Sequence, residues 1–208
     1  MNFYLASLIL PIVFKTVSAV VLLDIVKNSQ INLNIGISLP INQFSFCLQF
    51  YLEGSEEHWL IFKDSNENLG LYLNTQGKVS WVFIHDKNLV FLVPKNSVQA
   101  HEWINFCFVA NETKYFVKIN NEPPIYNTRP EIETQGYLDI QTLIFGTQFY
   151  WDFETNLQTF RITNFYIWAM EKSLESVQKF TQNCELQYVP KDAWLNWSQL
   201  TSIGRVSH

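Results

Sequence analysis

Charge is the scarcest property of this sequence. Of 208 residues, 14 are Lys or Arg and 19 are Asp or Glu, so 16% are charged where about 25% is usual for a soluble domain. The net charge of −5 includes no basic block. That excludes the clustered Lys and Arg on which nucleic-acid binding depends, and it leaves no polybasic stretch for an anionic membrane surface. Three cysteines are too few for a disulfide-dense scaffold but enough for one bridge. After the first residues, no run reaches the ~18 consecutive apolar positions of a membrane span. What is abundant is aromatic: 17 Phe, 9 Tyr and 7 Trp exclude a disordered chain. The length suits one all-β domain, and no linker or internal repeat divides it.

The N-terminus has its own pattern. Residues 3–14 are apolar and uncharged, too short a run to span a bilayer, and Val17-Ser18-Ala19 fits a cleavage site after Ala19. The expectation is a secretory signal peptide over residues 1–19 and a single domain over 20–208. An uncleaved anchor, or a strand continuing through Val20-Val21-Leu22-Leu23, reads the same residues differently. Two sequons, Asn111-Glu112-Thr113 and Asn196-Trp197-Ser198, agree with export and make Asn111 and Asn196 candidates for N-glycosylation.

From Phe44 onward the dominant period is two. Phe44, Phe46, Leu48, Phe50 and Leu52 alternate with Ser45, Cys47, Gln49 and Tyr51, which predicts a strand with one core face. Residues 69–73 and 79–84 flank Asn74-Thr75-Gln76-Gly77, a hairpin with Gly77 in the turn. Further strands are expected over 103–109, 114–119, 138–145 and 160–168. One helix is expected over 173–181, with Ser173 as N-cap and Leu174, Val177 and Phe180 on its apolar stripe. About a dozen short strands separated by turns predict an all-β, two-sheet antiparallel sandwich with one short helix near the C-terminus.

Several segments, in order, resemble the pentraxin branch of the concanavalin A-like (laminin G-like) jelly rolls. Phe44 to Tyr51 is similar to the family's early core strand with its first Cys, and Cys107 stands where the family has its second. Tyr115 to Pro123 resembles the strand and turn that follow. Leu143 to Gln148 is similar to the strand end before the family's calcium loop. Phe165-Tyr166-Ile167-Trp168 resembles the last strand before the family's helix, and Leu195-Asn196-Trp197 its C-terminal segment. The family's H-x-C-x-S-W signature keeps only its Cys here, in Asn105-Phe106-Cys107-Phe108-Val109-Ala110. On their own, Cys47 and Cys107 read as a bridge or as two buried thiols; the resemblance implies a disulfide between them. Cys184 is left over, either free or joining chains.

The resemblance also places calcium at two loops. In the first, Asp64, Asn66 and Glu67 are candidate ligands, with Ser65 where the family has an Asp. In the second, Gln148, Asp152, Glu154 and Gln158 are candidates, but Gln148-Phe149-Tyr150 replaces the family's Glu-Gln-Asp. A calcium site needs six to eight oxygens, several of them carboxylate, so weak or absent calcium binding is expected, and no other cofactor. Phe149, Tyr150 and Trp151 put three aromatics where the acids would be, either as a binding surface or packed onto the sheet.

Signs of catalysis are absent. There is no paired-carboxylate strand of the glucanase type, no His cluster at ligand spacing and no nucleophile-elbow or phosphate-loop motif. The sequence predicts a secreted, non-catalytic, lectin-like protein that binds a glycan, a phospholipid headgroup or a protein surface. Homo-oligomerisation is implied by the resemblance alone. The alternative is a structural or adhesive laminin G-like module that binds extracellular protein partners without metal.

Overall fold

The computed structural model describes residues 23–25, 31–54, 58–74, 79–84, 87–92, 98–111, 114–128, 136–145, 159–182 and 192–193. The expected signal segment 1–19, the turn residues 75–77, Cys184 and Asn196 lie outside them.

In chain order the strands are β1 (Leu23–Ile25), β2 (Ile31–Pro40), β3 (Phe44–Leu52), β4 (His58–Asp64), β5 (Leu69–Asn74) and β6 (Val79–Ile84). They continue with β7 (Lys87–Leu92), β8 (Trp103–Ala110), β9 (Lys114–Ile119), β10 (Ile125–Thr128), β11 (Tyr137–Phe145) and β12 (Phe160–Trp168), followed by the helix α1 (Leu174–Gln182). The predicted strands match these within a residue or so, and the helix is displaced by one. Sheet A has the order β1-β12-β3-β8-β9-β10 and sheet B the order β2-β11-β4-β5-β6-β7, and every described pairing is antiparallel. This is a jelly-roll sandwich.

The inner faces carry the alternation read from the sequence. Phe46 of sheet A meets Phe62 of sheet B edge-to-face, with centroids 5.3 Å apart. Phe62 in turn meets Phe165 at 5.1 Å, and Phe145 meets Phe165 at 5.9 Å. Such pairs add about 0.5–1.5 kcal/mol each beyond the area they bury. Strand β12 keeps both of its halves on this core by means of a bulge. Its register shifts between Thr163 and Tyr166, where Asn164 takes a φ of 52°. Phe160 and Ile162 before the bulge, and Phe165 and Ile167 after it, are therefore all buried. Without the extra residue, one half would turn its apolar set outward.

The outer face of sheet A is what positions the candidate site. Strand register arranges it in rows across β12, β3 and β8: Arg161–Tyr51–Trp103, then Thr163–Gln49–Asn105, then Tyr166–Cys47–Cys107. Helix α1 lies over this face. Ser173 caps it, its Oγ accepting the Ser176 N–H at 3.2 Å, and Val177, Phe180 and Thr181 are buried beneath it. Phe180 packs edge-to-face on Tyr166 at 5.9 Å. Polar groups lie under the helix: Asn164 Nδ2 donates to Gln49 Oε1 at 2.6 Å, and Asn105 Nδ2 donates to Thr181 O at 3.1 Å. Cys47 and Cys107 form a disulfide. Covering both faces explains why β3 buries every residue except the half-buried Tyr51.

Candidate functional site

The first predicted calcium loop follows β4. The Asp64 side chain is fully enclosed and turned back into its own loop. Its Oδ1 accepts the Leu69 N–H at 2.6 Å and its Oδ2 accepts the Asn66 N–H at 3.1 Å. Burial raises its pKa, against the lowering effect of these backbone donors. Glu67, at a φ of 58°, reaches back to Lys63 Nζ at 2.5 Å, and Asn66 is exposed. A hard cation needs a convergent shell of oxygens. Here the one buried carboxylate holds the turn together and the other pairs with a lysine, so the residues of this loop do not fit calcium. Among the described residues, no group of three or more His, Cys, Asp or Glu could hold a metal ion. The second loop's candidates, Gln148, Asp152, Glu154 and Gln158, lie outside the described residues, as do Phe149, Tyr150 and Trp151. Asn111 sits at the end of β8, its Nδ2 donating to Glu171 Oε1 at 2.9 Å.

A different constellation occupies the row of sheet A that follows the helix-covered ones. Trp103 is 38% exposed. Its ring lies 5.6 Å from that of Tyr51, with the planes inclined at 53°. On the opposite flank the Arg161 guanidinium stands 5.5 Å over the Tyr51 ring and forms an ion pair with Glu53. His101 completes the group, exposed and 6.5 Å from Tyr51. Its φ of 64° is uncommon outside glycine, and its backbone N–H donates to Leu52 O at 2.9 Å, fixing the turn into β8. Local backbone strain of this kind concentrates at ligand sites.

The row pairs two inclined aromatic rings with a donor fork, a carboxylate and an imidazole. Rings supply apolar area at low entropic cost, and the polar groups fix orientation. Sequence reasoning did not find it. Tyr51 was expected to face outward, but nothing local says that residues 103 and 161 join it; only the long-range register of β12, β3 and β8 does.

Solved structures share this fold. A heptameric SAP-like pentraxin from Limulus polyphemus superposes with a TM-score of 0.61 at 13% identity, over 82% of each chain. The ligand binding domain of botulinum neurotoxin serotype D, in complex with N-acetylneuraminic acid, gives 0.56 at 16% identity, over 76% of this chain and 41% of the other. The serotype G binding domain gives 0.53 at 11% identity, over 78% and 46%. This chain thus spans less than half the length of the toxin domains it matches. No protein-family model matches the sequence, and neither does any curated protein. At these identities the likeness shows the fold alone, a two-sheet antiparallel jelly-roll sandwich of the kind seen in a pentraxin.

Proposed function

We infer that the protein is a secreted, non-catalytic recognition protein that binds glycans through the outer face of sheet A. The observation that carries this reading is the row of Arg161, half-buried Tyr51 and exposed Trp103, held in register by three adjacent strands and flanked by His101. A site built on a sheet keeps its side chains in fixed geometry, which lowers the ordering cost of binding. The fold supports the reading, since its neighbours include a pentraxin and toxin binding domains. Export is supported by the N-terminal apolar segment and by the disulfide, which persists in oxidising compartments. No described helix is long and apolar enough to cross a membrane.

The reading is tested by screening the purified chain against immobilised glycans, phospholipid vesicles and extracellular-matrix proteins. Glycan binding supports it. Binding confined to the lipids or the proteins, or hydrolysis of any glycan offered, would refute it.

A further inference from the structure

We propose that the Arg161–Tyr51–Trp103 row is a metal-independent subsite for an uncharged saccharide ring. The proposal rests on the glycan-binding reading above and adds the ligand's charge and the absence of a metal requirement.

The charges around the rings argue against ionic ligands of either sign. A cation, above all a quaternary ammonium, is attracted to the face of an aromatic ring. On Tyr51 that position is already taken by the Arg161 guanidinium, 5.5 Å from the ring centroid, which leaves that face no room for a second cation. An anion would look to Arg161. That guanidinium is paired with Glu53. One carboxylate therefore already compensates the one guanidinium, on a chain whose net charge is −5. A sulfated sugar or an anionic headgroup would have to displace Glu53.

An uncharged saccharide meets neither obstacle. A pyranose presents an apolar C–H face and an equatorial rim of hydroxyls, each both donor and acceptor. The C–H face matches the exposed Trp103 ring, and the tilt of 53° between Trp103 and Tyr51 shapes a shallow seat in place of a flat platform. The rim meets groups of both kinds: the Arg161 fork donates, the Glu53 carboxylate accepts, and the His101 imidazole supplies either according to its tautomer. Adjacent hydroxyls require that mixture, and a compensated ion pair provides it without net charge. None of these contacts passes through a metal.

The experiment measures binding of the full chain, once in EDTA and once with calcium added, to four kinds of probe. These are neutral oligosaccharides of glucose, galactose, mannose and N-acetylglucosamine; a heparin hexasaccharide; phosphatidylserine vesicles; and choline phosphate. At least one neutral oligosaccharide should bind with chelator present, and Trp103→Ala should weaken it at least tenfold. Glu53→Gln should weaken the neutral sugar and, by freeing Arg161, raise heparin binding. Trp103 is exposed, so its removal leaves the core intact, and an unchanged unfolding midpoint verifies that. Preference for heparin over every neutral sugar would overturn the proposal while leaving the glycan reading standing, as would strict calcium dependence; neutral binding indifferent to Trp103→Ala would overturn the proposal and move the glycan site off this row. Failure of every glycan overturns both.

Discussion

Cys47 and Cys107 occupy directly opposed positions on β3 and β8, their α-carbons 4.1 Å apart, and their disulfide closes a segment of sequence separation 60. The bridge joins the two central strands of sheet A beneath α1. Closing a loop of that size restricts the unfolded chain by about 4 kcal/mol. The double variant Cys47→Ala/Cys107→Ala should lose stability of that order in urea, with the native fold retained by circular dichroism. A midpoint unchanged from the parent would contradict the assignment.

The bulge at Asn164 makes a second prediction. The left-handed backbone there suits Asn and Gly far better than Ala, and the Asn164 amide also satisfies the buried Gln49. Asn164→Ala should cost about 2–4 kcal/mol, combining backbone strain with a lost buried hydrogen bond. Asn164→Gly should cost only the hydrogen-bond part. Urea titration of the two variants separates the contributions, and equal losses would show that the backbone conformation is not what matters.

Two aspartates should respond to acid in opposite directions. Burial raises the folded pKa of Asp64 above the ordinary aspartate value of 3.8. Its contribution is therefore largest below that value and falls as pH rises through the elevated one. Asp192 is the reverse. Hydrogen bonding from the Lys172 ammonium holds its pKa below 3.8, so its contribution is present above 3.8 and is lost as pH falls through the lower folded value. Asp192 also accepts the Trp168 indole N–H at 3.2 Å, tying its segment to the end of β12. Asp64→Asn should remove the decline with rising pH, and Asp192→Asn the loss in acid. Unfolding midpoints between pH 3 and 7 would show whether the signs are as stated.

At the alkaline end, burial pushes Tyr166 up to about 12 from 10.0. The folded chain keeps that proton while the unfolded chain gives it up, so stability should fall as pH rises from 10 toward 12. Tyr166→Phe should reduce that fall while keeping the ring contacts with Trp168 and Phe180. An alkaline unfolding profile identical in the variant would contradict the account.

Most of the fold was legible because it is written in local patterns. The alternation of Phe44 to Leu52 specified a strand and its core face, and Ser173 with Leu174, Val177 and Phe180 specified the helix and its start. The disulfide was reached through resemblance, since two cysteines in separate strands do not reveal their register. The first candidate calcium loop shows what a linear pattern leaves out. Asp64 has the right residue type near the right place, but its carboxylate is engaged by the N–H groups of Leu69 and Asn66, a geometry no linear pattern displays. The aromatic row was invisible for the same reason. Tyr51, Trp103 and Arg161 are distant in the chain, and only strand pairing brings them together.

The central claim is that this row is a binding surface. Ligand-observed saturation-transfer NMR tests it most directly, using a neutral oligosaccharide that the intact chain binds, with the Trp103→Ala variant as comparison. Transfer to the sugar's ring C–H protons should be strong with the parent chain and lost with the variant, both proteins remaining folded. Equal transfer from the two proteins would contradict the account and move the site elsewhere on the molecule.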